Sequence, residues 1–154
     1  MKLNLPEFEF TFKDEGGRRF IFDKIRHKYL LLSPEEWVRQ NFVRYLIENK
    51  KYPSSLIALE MPFTINEANL RSDIVVYNRQ GKIIVMVECK SPQVSLSQKV
   101  FDQAAGYNLK LNSEILIITN GISHYCCRLD YPQHKWIFLS DIPNYTELSS
   151  IGID

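Results

Sequence analysis

The stretch from Arg71 to Pro92, RSDIVVYNRQGKIIVMVECKSP, constrains this chain more than any other. Two apolar runs, Ile74–Tyr77 and Ile83–Val87, flank a polar link, Asn78–Lys82, that carries Gly81. This is the pattern of a β-hairpin with a short turn. Charge bounds both runs. Asp73 opens the first, and Glu88 and Lys90 close the second. Side chains alternate along a strand, so Glu88 and Lys90 point to one face and Cys89 to the other. In an antiparallel hairpin the start of the first strand lies beside the end of the second, which brings Asp73 near Glu88 and Lys90. Two carboxylates and a lysine then converge at one end of an apolar sheet. They form a candidate divalent-metal site for phosphate chemistry.

The bulk numbers bound the setting. A chain of 154 residues is expected to form one domain, 1–154, with a real core. Composition is 45% hydrophobic and 24% charged, which argues against disorder. A net charge of +1 neither supports nor excludes nucleic acid. Cys89, Cys126 and Cys127 lack zinc-ligand spacing and form no disulfide framework. The thiols fit a reducing cytoplasm. No apolar run reaches the length of a membrane span, and the first residues lack the apolar core of a signal peptide.

Taken in order, residues 1–32 read as an N-terminal hairpin and connector. Phe8, Phe10 and Phe12 alternate with polar residues, Asp14-Glu15-Gly16-Gly17 signals a turn, and Arg18–Asp23 returns. The core is expected over 33–140. Ser33-Pro34-Glu35-Glu36 starts a helix with an N-cap, proline at the first position and an acid three residues after the cap. Glu36 has two readings, as the capping-box acid or as an acid directed at the metal site. Spacing alone favours the first. Leu56–Phe63 is a strand, with Leu56, Ala58 and Glu60 on one face and Ile57, Leu59 and Met61 on the other. Glu60 is either an extra acid near the site or an edge charge in water. Asn66–Leu70 reads as a loop. Pro92 ends the hairpin, and Gln98–Leu111 is a second helix with Val100, Ala104, Tyr107 and Leu111 on one face, widened by Phe101, Ala105 and Leu109. Gln103 and Tyr107 sit one turn apart. Glu114–Thr119 is a buried strand, parallel to a neighbour through a crossover. Ser123–Leu129 and Trp136–Leu139 are further strands around a loop at Asp130–Lys135, and residues 141–154 read as a surface tail.

With these segments in place, Asp73…Glu88-Cys89-Lys90 resembles the PD-(D/E)XK nuclease motif. Gln103-Ala104-Ala105-Gly106-Tyr107 resembles the Q-x-x-x-Y motif of RecB-like nucleases. More narrowly, Phe22-Asp23-Lys24-Ile25-Arg26, SPEEWVRQ, VECKSP, FDQAAGYN and TNG resemble small bacterial proteins grouped with the N-terminal nuclease domain of the type I restriction R subunit. The resemblance spans roughly residues 20–140. It implies an α/β fold, a restriction-endonuclease-like mixed β-sheet with an αβββαβ core and the N-terminal β-hairpin before it.

The resemblance also implies roles. Asp73, Glu88 and the Cys89 backbone carbonyl would hold Mg²⁺ or Mn²⁺. Lys90 would orient the attacking water or offset charge at the phosphate. Glu36 would hold a metal-bound water or a second metal, and Gln103 and Tyr107 would position DNA phosphate or Lys90. Ser72 stands where the motif has proline. No GxxxxGK[ST] loop is present, so no translocating motor is expected, and site specificity would come from a partner. The first functional expectation is therefore a metal-dependent DNA endonuclease acting with a restriction or DNA-processing partner. Duplex cleavage favours two sites, hence a homodimer. The alternative is a non-catalytic DNA-binding or assembly module that keeps the fold. Retention of Asp73, Glu88 and Lys90 favours activity.

Overall fold

A computed structural model describes residues 1–130 and 132–153. Two sheets and three helices build the fold. Strands β1 (Phe12–Glu15), β2 (Arg18–Asp23) and β3 (Lys28–Leu31) form an antiparallel sheet in the order β1-β2-β3. Helix α1 (Pro34–Glu48) follows. Strands β4 (Ile57–Ile65), β5 (Ala68–Tyr77) and β6 (Ile83–Cys89), helix α2 (Gln98–Leu111), and strands β7 (Ile115–Thr119), β8 (His124–Asp130) and β9 (Lys135–Leu139) come next. Helix α3 (Tyr145–Ser150) ends the list. The second sheet runs β4 to β9 in sequence order. All its pairs are antiparallel except β6–β7, which is parallel across the α2 crossover.

The hairpin, the capped start of α1, the span of α2 and the parallel β7 follow the expected pattern. Ser33 Oγ accepts from the Glu36 N–H at 3.0 Å, and Ser97 Oγ accepts from the Val100 N–H. Sheet alternation divides the core in two. Ile74, Val76, Val85, Val87, Ile115 and Ile117 pack with α1 residues Val38, Phe42 and Leu46. Val75, Met86, Leu116 and Ile118 pack with Ala104 and Ala105 of α2.

Several expectations need correction. The connector contains a third strand, because Lys28–Leu31 finds a partner in β2. Phe8 and Phe10 lie outside the strands, and Phe10 instead meets Trp37 edge-on at 5.4 Å. The loop expected at Asn66–Leu70 shrinks to Asn66-Glu67, both with positive φ, and β5 begins at Ala68. In β4, Glu60 has φ +49 and breaks the alternation. Ile57 and Leu59 enter the α1-side core, while Met61 joins Ala58 and Phe63 on the α2 side. On α2, Leu109 is exposed and Asn108 is buried in its place. The expected tail carries α3, which docks Ile142, Leu148 and Ile153 into the core. Tyr131, in the loop expected at Asp130–Lys135, lies outside the described residues.

The β7–β8 turn needs its glycine. Gly121 has φ +85, and a Cβ there would lie 2.7 Å from Leu3 Cδ2 and 3.2 Å from Val38 Cγ2. Its carbonyl also accepts from the Asn4 N–H at 2.8 Å. Gly121→Ala is expected to cost about 1–2 kcal/mol, read as a lower denaturant midpoint with an unchanged slope.

Candidate active site

The site forms where strand register and the α1 helix meet. One step beyond the Ile74–Val87 pair, Asp73 comes opposite Glu88, and Glu88 in turn pairs with Ile118 of β7. Glu88 lies at the carboxyl end of β6, and Lys90 follows one residue past it. The Lys90 ammonium lies 3.7 Å from Glu88. Asp73 is fixed on both oxygens. The Cys89 N–H donates to Oδ2 at 2.8 Å and Arg39 Nη2 donates to Oδ1 at 2.7 Å.

Arg39 and Arg26 knit this pair into a larger network. Arg39 bonds Glu36 through Nη1, and its Nη2 also reaches Glu35 at 3.1 Å and Glu60 at 3.4 Å. Arg26 bonds Asp23 through Nε and Glu60 through Nη1, each at 2.6 Å, and reaches Glu36 at 3.4 Å. Gln40 donates to both Asp23 and Glu36. Arg39, Glu36, Gln40, Asp73 and Asp23 are all buried. The helical spacing explains the convergence on α1. Glu35, Glu36, Arg39 and Gln40 lie three and four residues apart on one face.

The reading of Glu36 as the capping-box acid is therefore not the one the geometry supports. The Ser33 N–H donates to the Leu31 carbonyl, and the Glu36 carboxylate is taken by Arg39, Gln40 and Arg26. Glu60 also sits in the network rather than in free solvent. The structure thus brings Asp73, Glu88, Lys90 and Glu36 to one end of the sheet. Tyr107 joins them from α2, since the charges of Glu88 and Asp73 act on its phenol, whose buried Oη has no hydrogen-bond partner. Gln103, one turn before Tyr107 on α2, is exposed.

Electrostatics separate the members. Burial pushes the Glu88 carboxyl up to about 7, and the negative charge of Asp73 pushes the same way against the pull of Lys90. Burial raises Glu35 as well, with Asp73 adding to it. Burial opposes the charge on Asp23 and Glu60, yet hydrogen bonds and charge from Arg26 hold both below the ordinary range. Burial likewise works against Arg39, but its bond to Asp73 and the charge of Glu36 raise its pKa. Burial raises Tyr107 to about 12. The network is thus divided into Asp23 and Glu60, held charged by Arg26, and Glu88 and Glu35, which burial pushes towards the neutral form.

The donor chemistry fits a hard divalent cation. Burial first, and then the charge of Asp73, favour protonation of Glu88 near neutral pH, and a bound cation would offset both. Asp73 keeps a second lone pair on each oxygen. Among the described residues no group of three or more His, Cys, Asp and Glu side chains converges as a metal-ligand set. The protein's side-chain contribution would be Asp73 and Glu88. Such a modest set suits Mg²⁺, which retains waters and shares phosphate oxygens.

Sequence reasoning overlooked Arg39, Arg26, Asp23 and Gln40 as parts of the site. Their signal was present in Asp23…Arg26 and in SPEEWVRQ, the segments that carried the family resemblance.

Comparisons with known proteins bear on the same region. A family model described as type I restriction enzyme R protein N terminus matches residues 34–143. Among solved structures, the chain is similar to a fragment of a candidate HsdR subunit of a type I restriction enzyme from Vibrio vulnificus. That match has 22% identity and a TM-score of 0.57, and it covers 77% of this chain and 25% of the other. It supports the restriction-endonuclease-like fold. The chain spans a quarter of the length of that relative. A candidate nuclease of the DUF820 group from Anabaena variabilis is also similar, at 16% identity and a TM-score of 0.48, covering 95% of this chain and 88% of that one. No curated protein matches the sequence. Among the described residues no helix is long and apolar enough to cross a membrane.

Proposed function

We propose that this chain, which belongs to the family of type I restriction enzyme R protein N-termini, hydrolyses DNA phosphodiester bonds with a divalent cation. The observation that carries the reading is the buried Asp73–Glu88 pair with Lys90 beside it, at the end of the hairpin. Asp73, Glu88 and the Cys89 carbonyl would hold Mg²⁺ or Mn²⁺. When bound, such a cation polarises a phosphate oxygen and makes a water more acidic.

The remaining roles belong to the protein. Arg39 and the Cys89 N–H fix the Asp73 carboxylate in one orientation. Lys90 presents its ammonium beside Glu88, where it orients the attacking water and offsets phosphate charge. Glu36 holds Arg39 in place, and so acts on Asp73 from one residue away. Tyr107 offers its Oη as a donor to a phosphate oxygen. Cutting both strands needs two such sites, supplied by a second copy or by a partner subunit. That partner would also bring target choice.

A second reading has one observation in its favour. Arg39 already neutralises Asp73, as it would in a structural ion network. A non-catalytic module would need nothing more.

Nicking of supercoiled plasmid separates the two. Cleavage is expected with Mg²⁺ or Mn²⁺ and not with EDTA. Lys90→Ala is expected to slow it ~100-fold or more. Equal rates in the wild type, Lys90→Ala and Asp73→Ala would identify a contaminant and leave the second reading standing.

A further inference from the structure

The three-stranded sheet packs one face on α1. Phe12 and Ile21 are paired there. Phe12 meets Trp37 at 6.3 Å and Ile21 is fully buried. By alternation, Lys13, Phe20 and Leu31 form a cross-strand row on the opposite face, and Phe22 and Tyr29 form the next row. This second face is partly open, with Phe20 and Phe22 half-buried. Tyr29 is 36% exposed and Leu31 44%.

Its chemistry is aromatic with cations above it. The Phe22 and Tyr29 rings meet edge to face at 5.2 Å. Lys13 Nζ stands 4.6 Å from the Tyr29 ring centre and 5.8 Å from that of Phe20, and the Arg18 guanidinium stands 5.8 Å from Phe20. Residues 12–31 carry six basic and three acidic side chains, a net +3, whereas the whole chain carries +1. Of the basic side chains, Lys13 and Arg18 stand on the open face, where Glu15 holds Lys13 at 3.3 Å, while Arg26 is taken up by Asp23, Glu36 and Glu60. The same element leads into the candidate active site, because β2 ends at Asp23, which holds Arg26 against Glu36 and Glu60.

We propose that this face is a stacking platform for single-stranded DNA. Phe20, Phe22 and Tyr29 take bases, and Lys13 and Arg18 take the flanking phosphates. A duplex keeps its bases stacked on each other and offers these rings nothing, whereas every unpaired base has a face to give. Lys13, held over two rings and beside the exposed Glu15 in the free protein, swings from them to a phosphate when a base takes its place. The choice of DNA among polyanions rests on the nuclease reading above, and the platform deepens that reading by naming unpaired strands as the form engaged.

The test is fluorescence anisotropy with the full chain in EDTA, so that no hydrolysis intervenes, using a labelled mixed-sequence oligodeoxynucleotide and its duplex. Phe20→Ala and Tyr29→Ala are each expected to weaken single-strand binding ~5-fold or more. Phe20→Tyr, which keeps the ring, is expected to bind as the wild type does. Lys13→Gln with Arg18→Gln should lower the slope of log affinity against log salt by about 1.4, two phosphates' worth for a single strand. Wild-type affinity in both alanine variants overturns the platform. So does a duplex bound as tightly with the same dependence on the rings, or an unchanged salt slope in the double glutamine variant. Loss of metal-dependent nicking with intact ring dependence sinks the nuclease reading alone, and nicking with ring-independent binding sinks the platform alone.

Discussion

Arg39→Met should destabilise the fold by about 3–5 kcal/mol, the cost of leaving buried carboxylates without their cation. Arg39 is buried and holds Glu36 and Asp73, both themselves buried, while touching Glu35 and Glu60 at the margin. Methionine fills the stem's volume, so the loss isolates the charge rather than the packing. For a domain of this size the shift in melting temperature is about 10–15 °C. A combined Arg39→Met, Asp73→Asn, Glu36→Gln variant should recover much of it, because the stranded charges are gone. A change below about 1 kcal/mol in Arg39→Met would mean that the acids are solvated and the network carries little.

The second large effect concerns Glu88 and pH. Its folded pKa lies at about 7, above the ordinary 4.5. Between those values the folded protein binds a proton that the unfolded chain releases. The stabilisation from Glu88 is therefore fully present below about 4.5 and is lost as pH rises through about 7. Integrated over that window it amounts to about 3 kcal/mol. Asp23 and Glu60, whose folded pKa values are lowered, act in the opposite direction at acid pH. The informative quantity is therefore the difference between the wild type and Glu88→Gln in metal-free buffer. Glu88→Gln should be the more stable by about 3 kcal/mol at pH 8, with the gap closing towards pH 4.5. A constant gap across that range would show that Glu88 ionises normally. Adding Mg²⁺ at pH 8 should stabilise the wild type and leave the variant much less affected.

The legible parts of this fold carry their own local cause. Ser33-Pro34 marks the start of α1 by capping chemistry, and the hairpin and the buried β7 announce themselves by apolar run length. The juxtaposition of Asp73 and Glu88 follows from hairpin register alone. Other parts depend on partners distant in sequence. Lys28–Leu31 has no alternation of its own and becomes a strand because β2 offers an edge. The α3 segment is polar, and its few apolar residues matter because a groove beside Tyr52 receives them. Tyr52 itself donates to the Pro143 carbonyl at 2.9 Å. Arg39 looks like any solvated helical arginine until Asp73 arrives from β5. Gln103, one turn from Tyr107, is exposed on α2.

The left-handed Glu60 has a consequence beyond the site. It lies in β4, the first strand of the six-stranded sheet, whose outer edge is unpaired. An unpaired edge invites strands from other molecules to add to it, and a kink with an inward-held charge is a recognised defence. Glu60 supplies both at once: its backbone breaks the strand's regular pleat, and its carboxylate is tied to Arg26. The residue that completes the charge network thus also protects the protein from self-association at that edge. Glu60→Gln would remove the inward-held charge while keeping a hydrogen-bond acceptor for Arg26, and faster aggregation on concentration is the expected result.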